Sequence, residues 1–216
     1  AVGAGADPVG RARSLAALGL VGQDEDPALL PPGRRRCLDG IWVGSSDADE
    51  GDRGRLVLGV VSFGLEAWAN IIANESRLRS GPLAYAYGAL AAPMRYRPAD
   101  FRVLIDGVEH DMGGWALSLS NSGCIGGGIR VVPSSDPCDG QLELLHVGRM
   151  PLRRALPILA RIVLSRDAED PAVEVTAVRE VLVAGPVGMP AMADGDRVGT
   201  LPLCLRIAAG VVDLLV

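Results

Sequence analysis

Aspartate followed by glycine occurs at positions 39, 106, 139 and 194, and at 194 the chain adds Asp196 two residues on. On an extended strand that spacing puts both carboxylates on one face with only Gly195 between them. Two unpaired carboxylates so close raise each other's proton affinity unless a cation or donor lies nearby. Such a pair suits a general base working beside a magnesium-bound phosphate, where a carboxylate taking a hydroxyl proton contributes roughly 10² to 10⁴ in rate. Asp-Gly is also a favoured hairpin turn, a reading that covers all four positions. Asp106, set between two alternating apolar runs, is expected to be only a turn.

A second concentration of chemistry lies between Trp115 and Leu145. A strand-like run ends at Asn121, Gly126 to Gly128 follow, then Pro133, and then Asp139 with Gly140 and another apolar strand. Adjacent glycines supply no side chain to pack and leave the backbone free to approach something closely. A ligand would explain them, and so would a bulged hairpin beside a loop.

The elements that must position these residues are mostly strands. The pattern predicts strands at 41–43, 56–62, 101–105, 108–112, 115–120, 129–132, 141–147, 173–176, 179–184, 189–194, 203–208 and 211–215. A short helix is expected from Asp7 and Pro8 to Leu18, a broken helical stretch over 66–92 stopped by Pro93, and a helix from Pro151 to about Leu164 with Leu152, Leu156, Leu159 and Val163 on one face. The fold class is therefore α+β, mainly β: an antiparallel sandwich-like domain over residues 41–216 with appended helices. Residues 1–40 are read as a separate piece ending in a surface linker, acidic, then proline-rich, then Arg34 to Arg36.

Composition removes several functions. A net charge of -5 argues against bulk nucleic-acid binding, which needs a basic surface to displace counterions. The chain has no lysine, so neither a P-loop lysine nor a Schiff base is available. Four scattered cysteines without C-x-x-C spacing suggest reduced thiols in a cytoplasmic protein, and two distant histidines give little support to zinc or a Ser-His-Asp triad. Glu66, Arg206 and Asp213 interrupt the apolar runs before any reaches the roughly 18 residues of a membrane span.

In order along the chain, several segments resemble the C-terminal part of the diacylglycerol kinase-like lipid kinases, a bacterial family similar to sphingosine and ceramide kinases. Cys37 to Gly40 resembles the family's aspartate-glycine strand end, and Val60 to Ala67 its "v-a-s-x-G-f-d-a" segment. Gly81 to Tyr85 is similar to its "G-x-l-x-Y" helix, and Asn121 with Gly126 to Gly128 to its "N…G-G-G" loop. Pro133 to Leu142 is similar to "P-x-a-x-x-x-D-G-x-l", and Ala193 to Asp196 to "x-D-G-E". Gly3 to Asp7 resembles the "G-T-x-N-D" nucleotide loop, making residues 1–40 a remnant of an α/β nucleotide-binding lobe.

The resemblance implies roles. Asp194 and Asp196 fall on the pair that activates the acceptor hydroxyl, with Asp196 standing where the family has glutamate. Asp7 and Asp39, with Gly3 and Gly5, fall in a nucleotide and magnesium network. Asp139 falls on a side-chain ligand of a structural magnesium, with the backbone carbonyls of Asp136 and Gln141 beside it. Together these imply transfer of the γ-phosphoryl group of ATP to the hydroxyl of diacylglycerol or a related lipid, with Mg2+ as cofactor. The expected location is cytoplasmic, with transient peripheral membrane contact for which Arg77, Arg79, Arg95, Arg97 and Arg102 are candidates; a homodimer is left open. The family's upstream "G-G-D-G-T" phosphate loop is not among these 216 residues, so they are expected to be inactive alone. A non-catalytic lipid-binding or regulatory module is the alternative, and a nicotinamide dinucleotide kinase is a third.

Overall fold

The computed structural model describes residues 35–45, 54–78, 81–125, 129–130, 132, 135–163 and 170–215. The expected helix over Asp7 to Leu18, the linker up to Arg34, and the residues Gly3, Gly5, Asp7, Arg79 and Gly126 to Gly128 lie outside them, while Arg35 and Arg36 at the linker's end open a strand.

Strands β1 (Arg35–Ser45), β2 (Arg55–Val57) and β3 (Val60–Gly64) open the described chain, followed by helices α1 (Leu65–Glu75) and α2 (Gly81–Arg95). Strands β4 (Ala99–Ile105) and β5 (Val108–Ser120) form a hairpin; β6 (Cys124–Ile125), β7 (Ile129–Arg130) and β8 (Leu142–Gly148) come next. Helix α3 (Leu152–Val163) precedes β9 (Val173–Val178), β10 (Glu180–Gly185), β11 (Pro190–Ala193), β12 (Asp196–Thr200) and β13 (Leu203–Leu215). One antiparallel sheet runs β12-β11-β3-β5-β4-β10-β13-β1-β2, with β8 and β9 continuing from the other edge of β5; β6 and β7 form a small hairpin of their own. The class is α+β, mainly β, as the sequence pattern implies.

Alternation fixes which face is which. In β3 and β5 the residues Val61, Phe63, Leu117 and Leu119 point to one side and enter the main core with Phe101, Val103, Val181 and Leu205. The other side carries Ser62, Ser118 and Ala116, and the three helices cover part of it through Leu65, Ala69, Ile72, Ala92, Ala155 and Ile158. Gly88 lets α2 come close to α1, since a Cβ there would strike the Ala69 carbonyl.

Several boundaries differ from the sequence pattern. The two runs at 108–112 and 115–120 are one strand, as are 203–208 and 211–215, because Gly113, Gly114 and Gly210 bend a strand without ending it. The run at 56–62 is two strands, broken at Leu58 and Gly59. Strand β1 passes through the expected boundary at residue 40 without interruption, so residues 35–40 are part of the sheet. Helix α2 continues past Pro93 to Arg95, and a Tyr96 N–H to Ala92 carbonyl bond of 2.8 Å closes its last turn. On α3 Ala155 and Ile158 are the buried residues among those whose side chains are described, while Leu156 faces outward.

Candidate active site

Asp39 sits where β1 slips register against β13, between Leu38 and Gly40. It is 4% exposed, and both carboxylate oxygens accept backbone N–H groups, from Gly140 at 2.7 Å and from Gly210 at 2.7 Å. Its own N–H donates to the Pro137 carbonyl at 2.8 Å. One aspartate thereby ties the bulge in β1, the bulge in β13 and the loop carrying Asp139 into a single unit. A buried carboxylate needs such donors to offset lost hydration.

Asn121, at the end of β5, extends that unit. Its Nδ2 donates to the Asp39 carbonyl at 2.9 Å and to the Leu58 carbonyl at 3.2 Å, and its backbone N–H donates to the Gly59 carbonyl at 2.9 Å. The Asn121 carbonyl accepts from the Ser135 hydroxyl at 3.2 Å, and Ser135 also bonds Glu143. Burial pushes the Glu143 carboxyl above its ordinary range, opposed in part by Ser135.

The far side of the Leu58–Val60 segment meets Asp194. The carboxylate accepts from Gly59 N–H at 3.2 Å and Val60 N–H at 2.9 Å, while the Asp194 N–H donates to the Val60 carbonyl at 3.3 Å. Gly59 must lack a side chain, because a Cβ would run into that carboxylate. Asp39 and Asp194, 155 positions apart in sequence, are therefore joined through Asn121 and three residues of chain.

The extended geometry expected at 194–196 is not what forms. Asp194 has φ 47° and Gly195 φ 93°, the left-handed pair of a tight hairpin turn, and Ala193 faces Asp196 across it. The same turn forms at Asp106 and Gly107. The turn separates the roles of the two acids. Asp194 holds the turn onto β3, while Asp196 is exposed beyond it, its carboxylate 3.3 Å from Arg55 in an exposed ion pair. Asn74, at the end of α1, donates to the Gly195 carbonyl at 2.7 Å and fixes the turn from the helix side.

Asp139 lies in a tight loop next to Asp39. Its Oδ1 accepts the Gln141 N–H at 2.9 Å, and the Asp136 carbonyl accepts the Asp139 N–H at 3.3 Å. Among the described residues no group of three or more His, Cys, Asp or Glu side chains converges as a metal cluster. A site of one carboxylate and two carbonyls is of a different kind, and its oxygen-only donors suit magnesium chemically.

Residues 59–216 match the model of the YegS C-terminal NAD kinase beta sandwich-like domain. The chain belongs to this family. It is 30% identical over 144 residues to a diacylglycerol kinase of Mycobacterium tuberculosis, covering 66% of this chain and 46% of the relative, in strain H37Rv as in strain CDC 1551. The chain thus spans about half the length of the curated relatives it matches. Its fold is similar to a solved diacylglycerol kinase structure from Bacillus anthracis strain Sterne, with TM-score 0.57 and 11% identity over 84% of this chain and 54% of the other. A second structure under the same kinase name and from the same strain gives TM-score 0.63 and 14% identity over 84% and 57%.

Within this beta sandwich-like domain the structure adds residues that the sequence did not single out as a site. Glu66, in the first turn of α1, accepts from the Ser118 hydroxyl at 2.6 Å. The residue keeps partial exposure, yet desolvation of its carboxyl outweighs the Ser118 bond and pushes its pKa to about 7. Its one sequence signal was a charge interrupting an apolar helical run. Asn74 had none, because its partner is 121 positions away. Asn121 marked a strand end, but its bridging role depends on contacts 63 and 82 positions distant.

Proposed function

We propose that the chain is the acceptor-side domain of an ATP-dependent lipid kinase, in which the Asp194–Gly195 turn presents Asp196 to the hydroxyl of diacylglycerol or a related lipid. The observation that carries this is the hydrogen-bonded frame from Asp39 through Asn121 and Leu58–Val60 to Asp194, which fixes the turn from both sides. The name shared by the curated relatives supports the same reading. Asp194 positions the turn, and Asp196 takes the hydroxyl proton as the phosphoryl group arrives. Phosphoryl transfer depends mostly on in-line positioning and charge neutralisation. A bound magnesium would supply part of that neutralisation; Asp139, with the carbonyls of Asp136 and Gln141, is where this chain's residues would hold one, and Asp7 with Gly3 and Gly5 would belong to the nucleotide side. The frame uses both oxygens of Asp39 on backbone N–H groups, so in this reading Asp39 builds the site.

Residues 1–216 taken alone are expected not to turn over, because they contain no glycine-rich phosphate loop. Joined to the upstream part of the mycobacterial relative, the chain is expected to move label from γ-labelled ATP, with Mg2+, into a chloroform-extractable phospholipid when diacylglycerol is supplied. Label appearing on a nicotinamide dinucleotide and not in lipid would overturn the reading. A folded fusion that binds diacylglycerol and labels nothing would point to the non-catalytic lipid-binding module.

A further inference from the structure

The main sheet path begins at β12 and ends at β2. Asp196 is the first residue of one of these strands and Arg55 the first of the other, and a 3.3 Å bond from Arg55 Nη2 to Asp196 Oδ2 spans the two ends. The pair is too open to water to be a stability device, since its side chains are 51% and 76% exposed and exposed ion pairs contribute little. It does put a guanidinium within hydrogen-bond reach of the acid that the proposed function uses as proton acceptor.

Backbone pairing fixes where Arg55 starts and leaves its far end free to move. Arg55 lies opposite Val43 of β1. Gly54 beside it lets β2 seat that closely, because a Cβ there would strike the Val43 carbonyl. The guanidinium is half exposed, and among the described residues its Nη2 alone has a partner. Most of its five N–H donors therefore remain for another acceptor. The chain has no lysine, so arginine is the permanent cation it can offer a phosphoryl group. Arg149 and Arg154 are held by Asp100 and Asp170. Arg197 follows Asp196 in sequence, but strand alternation turns it to the opposite face, across from Met192.

Charge accounting gives Arg55 a task. While Asp196 is a carboxylate it holds the guanidinium. Once Asp196 takes the hydroxyl proton it is neutral, and the charge that held Arg55 is gone. In the same step the acceptor oxygen gains a phosphoryl group, and a phosphate monoester carries about −1.5 to −2 charges at pH 7. Guanidinium–phosphate bonds are charge-assisted and frequently bidentate, so the arginine has a better partner close by.

We propose that Arg55 is a catalytic residue that passes from Asp196 to the phosphoryl group during transfer and then holds the phosphate of the lipid product. The bond from the acceptor oxygen to the γ-phosphorus forms as the bond from that phosphorus to the bridging oxygen of ATP breaks. The proton goes to Asp196, and ADP leaves with the electron pair. This rests on the acceptor-side reading above and adds to it the group that meets the developing charge. The fused enzyme tests it with dispersed dioctanoylglycerol and its phosphorylated product, dioctanoyl phosphatidate. Arg55→Ala is expected to lower kcat by roughly 10², with the KM for dioctanoylglycerol little changed. It should also weaken inhibition by dioctanoyl phosphatidate about tenfold. Arg55→Lys, which keeps the charge and loses the fork, should restore part of both, and it carries the comparison if circular dichroism shows Arg55→Ala to be unfolded. Arg197→Ala, an equal change of charge on the other face, should leave both within about twofold of wild type. An arginine that only kept Asp196 in place would leave product inhibition unchanged and would cost nothing more in an Asp196→Asn background, where we expect a further loss of about tenfold. The proposal is overturned if kcat of the folded Arg55→Ala enzyme stays within about threefold of wild type, if product inhibition does not move, or if the Asp196→Asn background absorbs the whole loss. Those results leave the kinase reading standing when the wild-type fusion still labels dioctanoylglycerol; a wild-type fusion that labels no lipid removes both.

Discussion

Replacing Asp196 with asparagine in the fused, phosphoryl-transferring enzyme is expected to lower kcat by roughly 10² to 10⁴, with the KM for lipid little changed. Asparagine keeps the shape and cannot take a proton. The turn should persist, because its conformation rests on Asp194, Gly195 and the Asn74 bond, none of which involves Asp196. The ion pair with Arg55 does not alter the expectation: its two side chains are 51% and 76% exposed, and pairs of that kind are worth about 0–1 kcal/mol. Asp196→Glu, which keeps the carboxylate and lengthens the arm by one methylene, is expected to retain activity. Steady-state kinetics decide the matter, and an Asp196→Asn enzyme within about threefold of wild type in kcat would place the proton acceptor elsewhere.

Glu66→Gln is expected to stabilise the domain at pH 8 and to leave it unchanged near pH 4.5. The carboxyl titrates at about 7 in the folded chain against an ordinary 4.5, chiefly because burial disfavours its charge. Below the lower value it is protonated in both states and costs nothing. As pH rises from 4.5 to 7 the unfolded chain ionises first, so stability is lost across that window and levels off above it. A shift of this size corresponds to about 3 kcal/mol at about 1.36 kcal/mol per unit, and the partial exposure of Glu66 trims it toward about 2. Glutamine keeps a hydrogen bond to Ser118 and carries no charge, so its unfolding free energy should exceed that of wild type by this amount above pH 7. Urea unfolding at the two pH values measures it. Equal pH dependence in both proteins would mean that the carboxyl is ionised in the folded state.

Much of the frame could be read from residue order. Alternating apolar runs around Asp106 and Gly107 gave a hairpin because a two-residue turn with positive φ is a local property. The 194–195 turn has the same local signature, and the i+2 spacing of the second acid suggested an extended strand instead; the turn chemistry prevailed. Gly114 and Gly210 misled in the opposite sense. A glycine in an apolar run looks like a break, whereas paired strands on both sides carry β5 and β13 through it. Helix faces were harder still: periodicity set Leu152, Leu156, Leu159 and Val163 on one face of α3, whereas Ala155 and Ile158 are buried and Leu156 points outward. The joining of Asp39 to Asp194 could not be read locally at all. It depends on β1 lying beside β13 and β3 beside β5, pairings decided by the closure of the whole sheet.

That joining is the central physical claim, and a double-mutant cycle tests it most directly. Asn121→Ala and Asp194→Ala each remove one side of the grip on Leu58–Val60, and unfolding of the two single variants, the double variant and wild type gives the coupling between them. If one frame holds both residues, the two losses should fail to add by about 1 kcal/mol, because a segment released on one side has less to lose on the other. Strict additivity, within about 0.3 kcal/mol, would contradict it.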